Sequence, residues 1–567
     1  MWLILRESFL FGLTLAGLAL PFYRASGRYP VLGRLSLSLA LALVAIYLFA
    51  TVAYLARLDY RWHWLLPVLA GLAGWTQRHE LPALVRNPEV RSATGGWFLL
   101  TGWCLGLTAL ITSYAGGGWA GDWHEHFERT CFFLEHWPDD YRFITIYLLP
   151  ARPPLANLLT GSFLALGPLD FPRYQIITCL LSTLSYFPLL ALAQFFGGGS
   201  RTGAVLTLAL MASPAFVQNA TFPWTKLPVA FFVLAALPFL LRTLSEPGDR
   251  RHFAFGGLLL AAGVLTHYSA AVWGVALGAG WLWAQRPVWG ARRLWLNTGR
   301  ALLPAVLLLA TWFGWAFPRY GTGSVLGASS TATMARLMRA DEMAVTFVRN
   351  LVHTLVPHPW IGTQDDTLLQ PDSLARTVDW FFHLYQETLP LTLGFAGLLL
   401  LFLTVMKIRP SPGRVAAGRR RFWSVALSLA LLLGVGTHTL PNLWGLAHIS
   451  LLPLTLLALA WLIARLPGLW PTLPAWTRGV VVALLLADVI GGIVLHFVVQ
   501  HEVVAHFAGL SFAARSNYAG KLRLGQPFLA DSVATADGMV VAILAALFGL
   551  ALWRAIAAAS PPDAGQV

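Results

Sequence analysis

Uninterrupted apolar segments constrain the fold of this chain more than any other feature of its sequence. Several of them reach the roughly 20 residues that an α-helix needs to cross a bilayer core. The 567 residues are 57% hydrophobic and 11% charged, whereas soluble domains carry about 25% charged residues. The apolar runs are continuous and do not alternate with polar residues, which favours helices over strands. We therefore predict an all-α polytopic membrane protein with about 13–15 transmembrane helices and external juxtamembrane helices.

Basic loops orient these helices. The formal net charge is +14, and arginine collects in short loops between apolar segments, a pattern typical of cytoplasmic loops. The loops that we predict to be cytoplasmic are 24–34, 77–95, 242–252, 286–300 and 407–421. Because membrane topology accounts for the basic charge, we predict no nucleic-acid partner.

The same loops divide the chain into regions. We predict N-terminal transmembrane helices at 1–95, a core at 96–320 with its first external loop at 115–173, an external loop at 321–387, C-terminal transmembrane helices at 388–559 with an external loop at 499–537, and a disordered tail at 560–567. The segment 253–284 lies between two basic loops, so it must cross twice, with a hairpin tip at 266–269. Residues 154–168 are too few to cross and are predicted to lie along the external membrane surface.

Acidic residues are concentrated in the first external loop. The loop contains Asp122, Glu125, Glu128, Glu135, Asp139 and Asp140. Carboxylates at a membrane face are costly unless they are solvated or used. Asp122 opens a predicted helix on which Glu125 and Arg129 share its face. We interpret Asp122 and Glu125 as catalytic, with Asp122 deprotonating an acceptor. Two simpler interpretations stay open: Asp122 only caps the helix, and Glu125 only pairs with Arg129.

Three histidines and a cysteine in this loop raise the question of a metal site. His124, His126, Cys131 and His136 do not have the HExxH spacing that places two imidazoles on one helix face. We therefore interpret the histidines as solvated interface residues and assign no metal ligand. A divalent cation bound by carboxylates, Mg²⁺ or Mn²⁺, stays open as a cofactor.

Five further residues are predicted to reach the same membrane face. Arg152 precedes the helix at 154–168, and Lys226 begins a transmembrane segment, so both are expected at headgroup depth, where cations bind phosphate. His267 and Tyr268 lie at the predicted hairpin tip, and His448 lies one turn into a later transmembrane segment. Together they form a predicted phosphate-binding set. For each of them, the alternative of an ordinary interface residue stays open.

Four segments resemble a known family when taken in order. They are GDWHE at 121–125, RPPLANLL at 152–159, LALMASPAFVQNATFPWTKLPVAFF at 208–232 and LTHYSAAV at 265–272. These segments are similar to those of C-type (GT-C) glycosyltransferases, specifically protein O-mannosyltransferases and lipid A aminoarabinose transferases. The resemblance covers roughly residues 96–320. The chain departs from that family in having Lys226 where an acidic residue is common, and in the spacing of Asp122 and Glu125.

The resemblance implies a function. Enzymes of this family take a sugar from a polyprenyl-phosphate-linked donor on the external face of the membrane. It implies an inverting transfer with Asp122 as general base, and phosphate-binding roles for Arg152, Lys226 and His448. The expected partners are the lipid-linked donor, an acceptor lipid, glycan or protein, and membrane lipids. The expected location is the bacterial inner membrane.

Two rival classes share some of these features. An O-antigen ligase or polymerase-type enzyme also uses a lipid-linked substrate and relies on a large external loop, for which Arg349, His353 and His358 are the relevant residues. A lipid or polysaccharide transporter would carry internal repeats and ionisable residues near the midplane of the membrane. The charges here collect in predicted external loops, which favours the transferase.

Overall fold

The structure is a computed structural model of the full chain. It describes residues 2–115, 121–145, 147–199, 201–246, 249–286, 290–327, 339–357, 360, 373–407, 414–438, 445–503, 527–533 and 537–559. The predicted disordered tail at 560–567 and much of the predicted external loop at 499–537 lie outside these residues.

The described residues form helices joined by short turns. The first half contains α1 (Trp2–Ala25), α2 (Val31–Leu55), α3 (Leu65–Thr76), α4 (Leu81–Arg86), α5 (Pro88–Thr108), α6 (Gly121–Glu135), α7 (Leu155–Leu164), α8 (Phe171–Thr183), α9 (Tyr186–Phe195), α10 (Thr202–Ala212), α11 (Pro214–Thr221), α12 (Lys226–Ser245), α13 (Arg250–Thr266) and α14 (Ala270–Gln285). The second half contains α15 (Ala291–Gly327), α16 (Ala340–Leu355), α17 (Ser373–Glu387), α18 (Gly394–Met406), α19 (Arg414–Gly436), α20 (Leu452–Leu469), α21 (Ala475–Ile493) and α22 (Asp537–Ala559). Two π-helical turns, Ala447–Leu451 and Val494–Val503, adjoin α20 and α21.

The predicted all-α membrane class is confirmed. Within the described ranges, the sole extended pairing is an isolated bridge between Phe143 and Tyr147. Nine helical segments there are long and apolar enough to cross a membrane, or ten if α10 and α11 form one span bent by 75°. This is fewer than the 13–15 that we predicted, since α13 and α14 have only 17 and 16 residues and α19 begins with several arginines. The predicted hairpin nevertheless forms, with its turn at 267–269.

Helix α5 begins earlier than the predicted core boundary at residue 96. Asn87 caps the helix, because its side chain accepts hydrogen bonds from the backbone N–H groups of Glu89 and Val90. Pro88 follows at the first helical position, where its missing N–H costs nothing. These local signals extend the helix into the basic loop at 77–95.

Burial separates central helices from peripheral ones. In the segment Phe171–Phe195, which joins α8 and α9, 94% of the residues in the most apolar stretch are buried. The corresponding share of buried residues in α12 is 78%. For the segment Arg292–Gly327 it is 17%. Helices α8, α9 and α12 therefore form the centre, while α15 presents an apolar surface outward, as a helix against lipid does.

The predicted loop groups meet at opposite ends of the bundle. Arg24 donates to Gln77, and Arg28 forms an ion pair with Asp249, so the basic loops 24–34, 77–95 and 242–252 share one end, which we call the basic end. The other end, called the site end, joins the loops after α6 and α13 to the outer turns of α12 and α15. There Arg319 pairs with Asp139, and Tyr268 donates to Pro150.

Helix α16 has an inverted amphipathic surface. Its polar residues Thr346, Asn350 and Thr354 follow one face and are buried, and Asn350 and Thr354 bond the backbone of His438 and Leu446. Its valines face outward: Val345 is 67% exposed and Val348 is 57% exposed. A helix with polar groups turned inward and valines outward is suited to a membrane boundary, where the exposed Arg349 on the same outer side can reach the interface.

Candidate functional site

The carboxylates of the acidic loop fall into two groups. Glu128, Glu135 and Asp139 hold the loop itself, whereas Asp122 and Glu125 face the centre of the site end. Glu128 accepts from the Tyr141 hydroxyl and the backbone N–H of Ile144, so it braces the loop after α6. Glu135 accepts from Trp137, and Asp139 pairs with Arg319. Asp122 and Glu125 instead contact Arg152.

Arg152 connects the two central carboxylates. It follows the short 3₁₀ turn Leu149–Ala151, just before Pro153 and Pro154 lead into α7. Its Nη2 lies 3.6 Å from Asp122 Oδ1 and 3.6 Å from Glu125 Oε2. Burial by itself would lower the pKa of Arg152. The negative charges of Glu125 and Asp122 raise this pKa by more than burial lowers it, so the guanidinium stays charged. It already has two anionic partners before any ligand arrives.

Glu125 is held in a buried ion pair. Arg129 Nε donates to Glu125 Oε1 at 2.8 Å, and both side chains are fully buried. Arg129 also donates to the carbonyls of Leu148 and Leu149 and lies over the Phe143 ring. Burial raises the pKa of Glu125, but Arg152 and Arg129 lower it more, to about 2. The simple interpretation that Glu125 pairs with Arg129 is thus correct as geometry, and the pair fixes Arg152.

Asp122 is in a different position, although it is only one turn away. Its side chain is 16% exposed, and Oδ2 accepts from Trp224 Nε1 at 3.2 Å. Burial raises the pKa of Asp122, and the attraction of Arg152 does not fully offset it. Asp122 lies inside the first turn of α6, and its contacts with Trp224 and Arg152 are with residues of other elements.

Lys226 lies nearby, at the first turn of α12. The side chain is buried, and Nζ lies 3.3 Å from His267 Nε2. On the other side of the ring, His267 Nδ1 accepts from the Ser269 backbone N–H at 3.1 Å and lies 3.0 Å from the Ser269 hydroxyl. Among the described residues, Lys226 forms no ion pair with a carboxylate. Its ammonium therefore remains available for an anion.

Tyr268 supports the loop next to Arg152. Its hydroxyl donates to the Pro150 carbonyl at 3.1 Å and accepts from Trp312 Nε1 at 3.3 Å. The hairpin tip between α13 and α14 therefore brings His267 to Lys226 and Tyr268 to the chain segment that carries Arg152. Both predicted tip residues reach the site end, His267 beside the ammonium and Tyr268 beneath the loop.

His448 and a carboxylate that we did not predict complete the cluster. His448 Nδ1 lies 2.8 Å from Glu387 Oε1, and its ring packs on Trp224 at 5.0 Å between centroids. His383 Nδ1 lies 3.5 Å from the same Glu387 oxygen. Burial raises the pKa of Glu387 to about 7, although His383 opposes the shift. Its signal in the sequence was an acidic residue directly before an apolar segment.

The predicted phosphate-binding residues therefore come together with Asp122, and Trp224 connects them. Its indole donates to Asp122 and stacks on His448, and it precedes Lys226 by two residues. We did not single out Trp224 from the sequence, because tryptophan is common at membrane interfaces. Chemically, the cluster offers a partly exposed carboxylate that can accept a proton and a buried ammonium that can hold an anion.

The histidines of α6 do not converge on a metal. Within the described ranges, no group of three or more His, Cys, Asp or Glu side chains could hold a metal ion. His126 Nδ1 faces Asn157 Oδ1 at 3.2 Å, and burial lowers its pKa to about 3. His136 instead faces the Leu58 carbonyl. These partners belong to separate elements, and His126 is buried, so the prediction of solvated interface histidines is wrong for His126. For the rival ligase-type site, Arg349 is exposed and His353 is buried on α16, while His358 lies outside the described residues.

Comparison with known proteins gives structural neighbours only. No known family matches the sequence, and no curated protein matches it. One similar solved structure is ArnT from Cupriavidus metallidurans bound to undecaprenyl phosphate, with a TM-score of 0.45 and 15% identity over 83% of this chain and 75% of that chain. Another is the same protein in the apo state, with a TM-score of 0.43 and 14% identity over 82% and 76% of the two chains. ArnT is a lipid A aminoarabinose transferase. A likeness at this identity concerns the fold alone, so any activity has to be argued from the site.

Proposed function

We propose that this protein is a membrane glycosyltransferase that moves a sugar from a polyprenyl-phosphate-linked donor to an acceptor at the external membrane face. One observation carries the proposal: Asp122, a partly exposed carboxylate, accepts from Trp224, and Lys226, a buried ammonium without a carboxylate partner among the described residues, follows Trp224 by two residues and interacts electrostatically with Asp122. Transfer from a lipid phosphate requires a base for the acceptor and a cation for the leaving phosphate.

The environment of Lys226 supports a phosphate ligand. Taking an ammonium out of water is costly unless an anion compensates it. His267, whose Nε2 lies 3.3 Å from Nζ, brings no negative charge to Lys226, so the ammonium keeps N–H donors for an anionic ligand. The first turn of a transmembrane helix also lies at the depth of a lipid phosphate, so a prenyl tail can stay in the bilayer while the sugar remains outside it.

The reaction follows from these positions. Asp122 accepts the proton of the acceptor hydroxyl or amine, whose oxygen or nitrogen then bonds to the anomeric carbon of the sugar. The bond from that carbon to the phosphate oxygen breaks, and the polyprenyl phosphate leaves with the electron pair. Lys226 stabilises the departing phosphate. A single displacement inverts the anomeric centre. Glu125 and Arg129 hold Arg152, which keeps Asp122 oriented, so we assign Glu125 a positioning role.

The charge of Lys226 can be tested without knowing the sugar. Undecaprenyl phosphate serves as the probe, and its binding to the purified full-length protein is measured by native mass spectrometry. We expect Lys226→Met, which keeps the length of the side chain but removes its charge, to weaken binding on the order of tenfold or more. The matched control is Lys407→Met, because Lys407 is exposed and donates to Thr472.

A second lipid isolates the phosphate. Undecaprenol has the same chain without the phosphate, and its binding should not depend on Lys226. If Lys226→Met bound undecaprenyl phosphate as tightly as the parent protein does, the proposed donor site would be wrong. A loss of binding for both lipids would indicate damage to the prenyl-binding surface instead, and would equally contradict the assigned role of the ammonium.

A further inference from the structure

A second basic pocket lies at the basic end, away from the candidate transferase site. Arg242 is near the end of α12, roughly 24 Å from Lys226 at 1.5 Å per residue. It lines a cavity of about 120 Å³ between the start of α2, the end of α9 and the end of α12. An apolar cavity of about 150 Å³ is large enough to hold benzene, so this space admits a group of the size of a phosphate.

The walls of the cavity are mainly apolar. Phe195, Pro238 and Phe239 supply much of the lining, and Arg242 and Gln194 supply polar groups. No hydrogen bond of the Gln194 side chain occurs among the described residues, although its backbone carbonyl accepts from Gly197. A pocket with apolar walls and a cation at its edge suits an amphiphile whose charged group is anionic.

Two arginines, Arg242 and Arg419, lie at the pocket, and the counter-ion of Arg242 is weakly bound. The Arg242 guanidinium lies 5.6 Å from the centre of the Tyr29 ring, and its ion pair with Glu246 spans 3.6 Å, with Glu246 55% exposed. An exposed pair of this length contributes little. Arg419 lies over Phe195 at 5.3 Å, and its buried Nε has no hydrogen-bond partner in the described part of the chain.

Asp249, a second acidic group near the pocket, is engaged by residues that do not include Arg242. Arg28 donates to the Tyr29 hydroxyl and pairs with Asp249, and His252 Nε2 lies 3.6 Å from the same carboxylate. Glu246 offsets Arg242 only through a long, exposed pair, so the pocket retains positive charge from Arg242 and Arg419. Its elements begin or end in loops whose arginine content predicts the cytoplasmic side, where anionic phospholipids are concentrated.

We propose that this pocket binds the phosphodiester headgroup of an anionic phospholipid. Arg242 turns from Glu246 to the phosphate, because a guanidinium and a phosphate form a charge-assisted bidentate contact. The Gln194 amide donates to the headgroup, and an acyl chain lies along Phe195 and Phe239. The bound lipid links α9 to α12, the two central helices that carry the pocket.

Native mass spectrometry of the full-length protein tests the site. The probe is dioleoylphosphatidylglycerol, and dioleoylphosphatidylcholine is the lipid control with the same acyl chains and no net charge. We expect Arg242→Gln to weaken phosphatidylglycerol binding on the order of tenfold, as loss of a charge-assisted contact does. The protein control is Arg250→Gln, an exposed arginine of the same basic end that does not line the cavity.

A second variant keeps the test decisive if Arg242→Gln fails to fold. Glu246→Gln removes the exposed competitor for Arg242 and should tighten phosphatidylglycerol binding by about two- to fivefold. Equal binding of the two lipids, or no change in either variant, would overturn the proposal. Complete competition by inorganic phosphate at the concentration of the lipid would show a simple anion site and would also overturn it. Because the readout is lipid binding at Arg242, failure here leaves the transferase proposal untouched.

Discussion

At the scale of single residues, two carboxylates one helical turn apart differ because their neighbours differ. Glu125 is fully buried between Arg129 and Arg152, and its pKa falls to about 2. Asp122 has one arginine at 3.6 Å and an indole donor, and its pKa is raised. A general base needs a pKa close to the working pH, so Asp122 is the better suited of the two.

Replacing Asp122 tests that assignment. Asp122→Asn keeps the shape of the side chain and an oxygen for the Trp224 donor, but it cannot accept a proton. We expect sugar transfer to fall by roughly 10² or more, as for loss of a general base. Binding of undecaprenyl phosphate should be retained. The matched control is Asp140→Asn, since Asp140 is an exposed acid of the same loop. Near-full transfer by the Asp122 variant would leave this carboxylate with a structural role only.

Glu387 should make stability depend on pH. Its pKa rises from 4.5 to about 7 in the folded protein because it is buried. Between these values the folded state keeps a proton that the unfolded state loses, so stability falls as the pH rises through this window. Glu387→Gln should flatten that part of the profile. Thermal unfolding in detergent from pH 5 to 8 measures it, with the exposed Glu80→Gln as control. An unchanged pH profile would contradict the assignment.

At the scale of elements, a buried ion pair joins α7, all of whose residues are buried, to α1 and α8. Arg173 at the start of α8 donates to both carboxylate oxygens of Glu7 on α1, each at 3.0 Å. It also donates to carbonyls at the end of α7, including that of Leu164 at 2.7 Å. The pair therefore fixes the loop from α7 to α8 against α1, and with it α7, the helix that follows Arg152.

Breaking this pair on one side should destabilise the protein strongly. Glu7→Gln leaves the Arg173 guanidinium buried without its counter-ion, and such losses cost about 3–5 kcal/mol. The double variant Glu7→Leu and Arg173→Met should recover much of the loss, because no unpaired charge remains. Unfolding in detergent measures both. Glu80→Gln, in an exposed pair of 4.0 Å, is the control. Equal stability of Glu7→Gln and the parent would show that the pair carries no net energy.

At the scale of the whole molecule, the separation of the two ends agrees with a single orientation in the membrane. The loops that we predicted as cytoplasmic contact one another at the basic end, while those predicted as external meet at the site end. The contacts show which loops share an end of the bundle. The positive-inside rule then predicts that the basic end is cytoplasmic.

Cysteine labelling in intact cells tests the orientation. The three native cysteines are buried, so a membrane-impermeant thiol reagent should report mainly on introduced sites. We expect labelling of Asp140→Cys at the site end and protection of Arg420→Cys in the loop predicted to be cytoplasmic; both positions are exposed. Permeabilised cells provide the control, in which both should react. The reverse pattern would place the site on the cytoplasmic side and rule out an external transferase.

The sequence by itself determined the membrane class, most helix positions and the turn at 267–269, because hydropathy, proline and arginine act over a few residues. It also predicted that Asp122, Arg152, Lys226 and His267 lie at one membrane face, and these residues lie at one end of the bundle. Only the tertiary structure decided their partners. Trp224 meets Asp122 across 102 positions of sequence, and Glu387 reaches His448 from another helix. The pKa of a carboxyl depends on such partners and on burial, neither of which local pattern encodes. The roles of the two carboxylates were therefore set by packing.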